Sequence, residues 1–255
     1  VMESSSAMDV GEYPGAIIGK TYIFTNCDYI EVFKNGKHTS TAYPDYKSFP
    51  NLPHPPVSPA DYIGDSLETE DGLDPVTASA LKKALVAATT YGYIMPPQHY
   101  AEIVYAYLHG RMKFSQIYNI VTKYFANWGN EQVTYRYDGY KDGKLVKSIT
   151  RTAVNSLSLS VKADSMTLTE DTTYDVTRVE LRAVDQNGNQ VPFANNAVSV
   201  KVGGAAKLIG PDMFALIGGD RAFWIRTIGK SGTATVTVSA QGIGEQVLTF
   251  DVVKK

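Results

Sequence analysis

The chain has 255 residues, 44% of them apolar and 20% charged, with a net charge of −2. That apolar share supplies an ordinary core and argues against a disordered tail, and the charge balance argues against the clustered basic face of a nucleic-acid binder. No apolar run approaches the ~20 residues of a membrane-spanning helix, and the length suggests one or two domains.

The start, VMESSS over residues 1–6, lacks a positive and then apolar leader, so no signal peptide is expected. A first residue of Val points to a segment of a longer protein. Cys27 cannot form an internal disulfide and reads as a small buried hydrophobe; a reducing, cytoplasmic compartment fits it.

Residues 17–37 read as a β-hairpin. Ile17-Ile18 and Tyr22-Ile23-Phe24 are strand-like, and Tyr29 to Phe33 alternates up to Asn35-Gly36, where both turn residues tolerate positive φ. Residues 43–59 carry Pro44, Pro50, Pro53, Pro55, Pro56 and Pro59, which predicts an extended linker without a regular ladder.

The period then changes to that of helices. Asp74-Pro75 supplies an N-cap and a proline at the first helical position, ahead of an Ala- and Leu-rich run from Ala78 to Ala88. A second helix is predicted after Pro96-Pro97, with Tyr100, Ile103, Val104, Tyr107 and Leu108 on one stripe and a stop at Gly110. A third places Phe114, Ile117, Tyr118, Val121, Tyr124, Phe125 and Trp128 at helical spacing, a stripe read mostly as packing, and ends at Gly129.

Strand character resumes with Val133, Tyr135 and Tyr137, the turn Lys141-Asp142-Gly143, the run Lys144–Thr150, and Leu157, Leu159 and Val161. A sheet that begins before the helices and resumes after them suggests a helical insertion in a β-sandwich. From about residue 164 the pattern is all β, through Val179-Leu181-Ala183, Val198-Val200-Val202, Ala234 to Ala240 and Leu248-Phe250-Val252. Short strands with Gly- and Asn-rich turns suggest an immunoglobulin-like sandwich.

No local chemistry stands out. His38, His54, His99 and His109 lack the spacing of a metal pair, no Cys-x-x-Cys exists, and Gly242-Ile243-Gly244 is a turn without the rest of a dinucleotide fingerprint. The run Asp185 to Asn189 opens like a calcium loop, but its sixth and twelfth positions hold Gln190 and Asn196, so a hairpin turn is expected. Trp224 lies in Ala222-Phe223-Trp224-Ile225-Arg226, a strand with bulk on both faces that suits a sandwich core. No cofactor and no metal site are expected.

Two clusters of residues carry a resemblance. The first is Met8 to Pro14, with Tyr22 to Asp28 and Glu31 to Gly36. The second, more specific, is Asp175 to Val179, Ala183 to Asn189, Val191 to Asn195, Leu208 to Asp212, Leu216 to Gly219 and Phe223 to Thr227. Together they resemble the C-terminal sandwich domains of bacterial β-galactosidase-like enzymes in glycoside hydrolase family 2, and the helical stretch resembles an insertion carried by one branch.

That resemblance implies a mainly β fold of two immunoglobulin-like sandwiches. The first would be residues 1–163 with a three-helix insertion at about 58–128, and the second residues 164–255. It implies a parent that is a retaining glycosidase with two glutamates on a (β/α)₈ barrel of roughly 250 residues, for which this chain has no room. Trp128-Gly129-Asn130-Glu131 imitates the family's acid/base motif, but Glu131 falls between a helix and a sandwich strand, so it reads as a strand-edge glutamate. No catalytic residue is assigned. The partners that the resemblance implies are the parent's barrel and other domains, a second copy in a homo-oligomer, and carbohydrate through the parent. Nucleic acid and membrane are not among them. A glycan-binding module using exposed aromatics is the alternative, and an adhesion protein of repeated domains a third reading.

Overall fold

The computed structural model describes residues 1–6, 21–125 and 133–255. Residues 8–14, Ile17-Ile18 and Trp128 to Glu131, on which several expectations rest, lie outside them. The chain is mainly β and divides into two units, Val1–Ala153 and Val154–Lys255. The expected boundary after residue 163 is too late, because the strand Ser158–Ala163 pairs with Val176–Val184 of the second unit.

In the first unit, β1 (Met2–Ser4) pairs with β2 (Ile23–Thr25) in a two-stranded sheet. β3 (Tyr29–Lys34) turns at Asn35-Gly36 into β4 (Lys37–Ala42). Both turn residues have positive φ, 49° and 82°, the conformation for which Asn-Gly is suited. The hairpin therefore lies downstream of where it is expected, and β2 belongs to a different sheet from β3. The proline-rich stretch makes only isolated bridges, in which Val57, fully buried, meets Ile23 and Pro44.

Four helices follow among the described residues, not three: α1 (Ser66–Thr69), α2 (Pro75–Tyr91), α3 (Pro97–His109) and α4 (Phe114–Tyr124). The extra one is a single turn, too short to show a period. At the start of α2, Asp74 Oδ1 accepts hydrogen bonds from the backbone of Val76 (3.0 Å) and Thr77 (3.1 Å), and Pro75 leaves one fewer donor to satisfy. Ala78, Leu81, Leu85 and Ala88 form the buried face of α2. Gly110 ends α3, where a Cβ would sit 2.8 Å from the Thr77 side chain, so only glycine lets the two helices approach there.

β5 (Tyr135–Lys141) then pairs with β3, and β6 (Lys144–Arg151) with β5, giving the antiparallel order β4-β3-β5-β6. The helices are thus inserted between β4 and β5, which flank the same strand. Ile30, Val32, Tyr135 and Tyr137 of this sheet share one core with Leu67, Leu81 and Leu85 of the helices.

The second unit adds β7 (Ser158–Ala163), β8 (Thr167–Glu170), β9 (Val176–Val184), β10 (Ala197–Gly204), β11 (Ala206–Ile209), β12 (Met213–Ala215), β13 (Asp220–Thr227), β14 (Gly232–Ala240) and β15 (Gly244–Lys254). They form a five-stranded sheet, β12-β10-β14-β15-β8, and a four-stranded sheet, β11-β13-β9-β7. All pairs are antiparallel except β15 with β8. Inward residues alternate with outward ones along β9 and β14, and Val179 and Leu181 of one sheet join Val236, Val238 and Phe250 of the other in a single core. Gly204 and Gly219 are required by their surroundings. Both have positive φ, and a Cβ on either would lie 2.1 Å from a backbone carbonyl oxygen.

Candidate functional site

The first unit contains a polar pocket of about 320 Å³ lined by Lys34, Lys37, Tyr62, Ser66, Glu70 and Lys123, among others. The β3–β4 turn brings Lys34 and Lys37, α1 brings Ser66 and places Glu70 at its end, and α4 brings Lys123. Lys37 bridges Asp65 and Glu70, each at 3.0 Å, and also donates to Ser66 Oγ at 3.0 Å. Lys123 bridges Glu70 at 3.1 Å and Asp71 at 2.9 Å, and the Tyr124 hydroxyl donates to Asp71. Lys34 Nζ lies 5.1 Å from the centre of the Tyr62 ring.

This lattice fixes protonation states instead of preparing them for exchange. The hydrogen bond from Lys37 is the largest influence on Glu70 and, with those from Lys123 and Ser66, outweighs burial to hold its carboxyl down to about 2. Burial works against the charge of Lys123, yet hydrogen bonds to Asp71, Tyr124 and Glu70 prevail and raise its pKa. Burial raises the Tyr62 phenol, and its hydroxyl finds no hydrogen-bond partner among the described residues. A carboxylate this weakly basic and an amine held protonated are poor proton-exchange partners near neutral pH, and both are already engaged in ion pairs. The arrangement ties the hairpin to α1 and α4.

A second, apolar cleft of about 170 Å³ opens between α2, α3 and α4, with Leu81, Leu85, Tyr100, Ile103, Ile117 and Val121 among its walls. Its continuation differs from expectation. In α3 only Ala106 is buried; of the predicted stripe, Tyr100 and Ile103 line this cleft, and Val104, Tyr107 and Leu108 are exposed. In α4 Ile120 and Tyr124 are buried and Phe125 follows them, but Phe114 and Tyr118 are exposed.

The remaining candidates have structural roles. Asp185 Oδ1 accepts from the backbone N–H groups of Asn187 and Asn189, both at 2.8 Å, and Gly188 adopts φ 78°; the segment is a turn closed by its own carboxylate. Trp224 is exposed on β13 between buried Phe223 and Ile225, so it belongs to the outer face and not to the core. His99 pairs with Glu102 at 2.9 Å, and His109 lies 3.2 Å from Thr77 Oγ1. Among the described residues no group of three His, Cys, Asp or Glu side chains is placed to hold a metal ion. Cys27 is buried. The ion-pair lattice escaped sequence reading because its members lie some 30 to 50 positions apart and share no motif.

Comparison with known proteins locates this fold. Residues 159–249 match the family model described as glycoside hydrolase family 2 C-terminal domain 5. The chain is 29% identical over 199 residues to a β-galactosidase of Rhizobium meliloti, covering 77% of this chain and 18% of that protein. It is 26% identical over 200 residues to a β-galactosidase of Thermoanaerobacterium thermosulfurigenes, covering 77% and 20%. The chain thus spans about a fifth of the length of these relatives. Among solved structures, a β-glycosidase from Bacteroides vulgatus aligns over 98% of this chain and 24% of its own, with a TM-score of 0.55 at 15% identity. A β-glucuronidase from glycoside hydrolase family 2 aligns over 100% and 20%, with a TM-score of 0.51 at 13% identity. The strands and turns described above therefore resemble, in sequence and in fold, the C-terminal region of glycoside hydrolase family 2 enzymes.

Proposed function

We propose that this chain is the non-catalytic C-terminal part of a β-galactosidase-like glycosidase, and that it supports a catalytic barrel carried elsewhere in a longer polypeptide. The observation that carries this reading is the match itself: the chain aligns with only about a fifth of the β-galactosidases it resembles. The paired, fixed charges of the polar pocket agree with a structural role. In this reading the second unit is an immunoglobulin-like sandwich, and its four- and five-stranded sheets around one core are what that fold requires. The first unit is a second β domain bearing the helical insertion. The test is direct: the purified chain, shown by circular dichroism to be folded, is incubated with nitrophenyl galactoside. The expected result is no release of nitrophenol above the buffer rate; turnover by the folded chain would overturn the proposal.

A further inference from the structure

The sheet β11-β13-β9-β7 carries large side chains on the face turned away from its core. Trp224, Tyr174 and Ile209 are 45%, 54% and 41% exposed, although an indole contributes most when its large area is buried. The strand register joins these side chains into one surface. Trp224 on β13 sits opposite Ile209 on β11 and Arg178 on β9, and two residues along the strand Arg226 sits opposite Lys207 and Val176. Residues so related share a face, about 5 Å apart across strands and about 7 Å apart along them. The Arg226 guanidinium lies 4.7 Å from the centre of the Tyr174 ring, which extends the surface beyond the start of β9.

We propose that this face binds an acidic polysaccharide, the Trp224 indole lying against the C–H face of a sugar ring while the cations beside it take carboxylate or sulfate oxygens. The polar groups around the indole select the charge. Arg178, Arg226, Lys207 and the indole N–H donate hydrogen bonds and accept none, so their ligand must be rich in acceptors. Among the described residues the ion pairs of this face are Arg178–Asp164, Arg182–Glu180 and Arg182–Asp220, and neither Lys207 nor Arg226 enters one. Asp164 engages Nε and Nη2 of Arg178, at 3.2 and 3.1 Å, and a guanidinium has further N–H donors beyond those two. Asp175 and Glu170, at the end of the face, accept from the backbone N–H groups of Thr169, Val176 and Gly229. The sheet geometry selects a polysaccharide. An extended peptide docks at a sheet edge, where its backbone hydrogen bonds are met, but the backbone of β13 is already paired with β11 and β9. A nucleic acid calls for a strongly basic domain, and the net charge of this chain is −2. The proposal goes beyond the scaffold role argued above and rests on this face alone.

The test is affinity gel electrophoresis of the whole chain through gels holding polygalacturonate, dextran sulfate, neutral dextran, polyglutamate or single-stranded DNA, alongside the variants Trp224→Ala and Arg226→Ala. Both side chains stand on the outer face, so unchanged circular dichroism is expected for each variant. Retardation is expected in one or both acidic polysaccharides, the two distinguishing carboxylate from sulfate, and in none of the other three gels. Each substitution is expected to raise the dissociation constant at least tenfold. No retardation by either acidic polysaccharide overturns the proposal. Equal retardation by polyglutamate or DNA overturns it as well, by showing a surface that reads charge without a sugar ring. Binding that either substitution leaves intact places the contact elsewhere and has the same consequence. None of these outcomes bears on whether the chain hydrolyses a galactoside.

Discussion

Single residues show how closely backbone geometry constrains this chain. Gly204 has φ +83°, and a Cβ there would fall 2.1 Å from the Thr233 carbonyl oxygen. Gly204→Ala therefore combines an unfavourable left-handed backbone with a clash that backbone cannot relieve, and should cost about 2–4 kcal/mol in urea denaturation. Tyr62 makes the opposite case. Its hydroxyl is buried and has no hydrogen-bond partner among the described residues, so Tyr62→Phe removes an uncompensated polar group. The expected result is stability equal to or above the parent; a loss above about 1 kcal/mol would mean the hydroxyl is satisfied. Asp74 was legible from the sequence because capping is local: a carboxylate two and three residues before the N–H groups it accepts from, with proline between. Asp74→Ala should cost about 1 kcal/mol. Tyr62 gives no such signal, since its neighbours come from β3, α1 and α4.

Among elements, the helical insertion separates what periodicity can tell from what it cannot. Proline placed the starts of α2 and α3 well and glycine the end of α3, because those residues act on the backbone where they stand. The spacing of Tyr100, Val104, Tyr107 and Leu108 identified a helix, but spacing fixes only that a stripe exists and not what covers it. The lattice joining α1 and α4 to the hairpin carries a pH dependence. The Glu70 carboxyl is lowered in the folded chain, from 4.5 to about 2, mainly by the Lys37 hydrogen bond. Its stabilising contribution is thus fully present above the unfolded value and is lost as pH falls towards 2. Glu70→Gln should flatten the decline in stability between pH 4.5 and 2, followed by thermal melts at stepped pH. An unchanged acid limb would show that the pairs are screened by solvent. Because Lys37, Glu70 and Lys123 are each over a third exposed, 1 M salt should shrink the difference between variant and parent.

At the scale of the whole chain, the strand alternation of the second unit and the resumption of the first sheet after the helices were legible, since a period of two survives in any well-paired strand. The division between the units was misjudged by ten residues because Ser158–Ala163 alternates as a strand in either unit, and only its pairing with β9 decides. β8, β11 and β12 were not recognised; at three or four residues each, they are too short to show alternation. The second unit has a core of its own built from both its sheets, so residues 154–255 expressed alone should unfold in one cooperative transition. The central claim is that this chain supports a glycosidase without performing its chemistry. A retaining glycosidase passes through a covalent glycosyl-enzyme, and a 2-fluorinated galactosyl donor with a good leaving group traps that species. Intact-mass spectrometry of the folded chain after such treatment should show the unmodified mass alone; a stoichiometric fluorogalactosyl adduct would contradict the account.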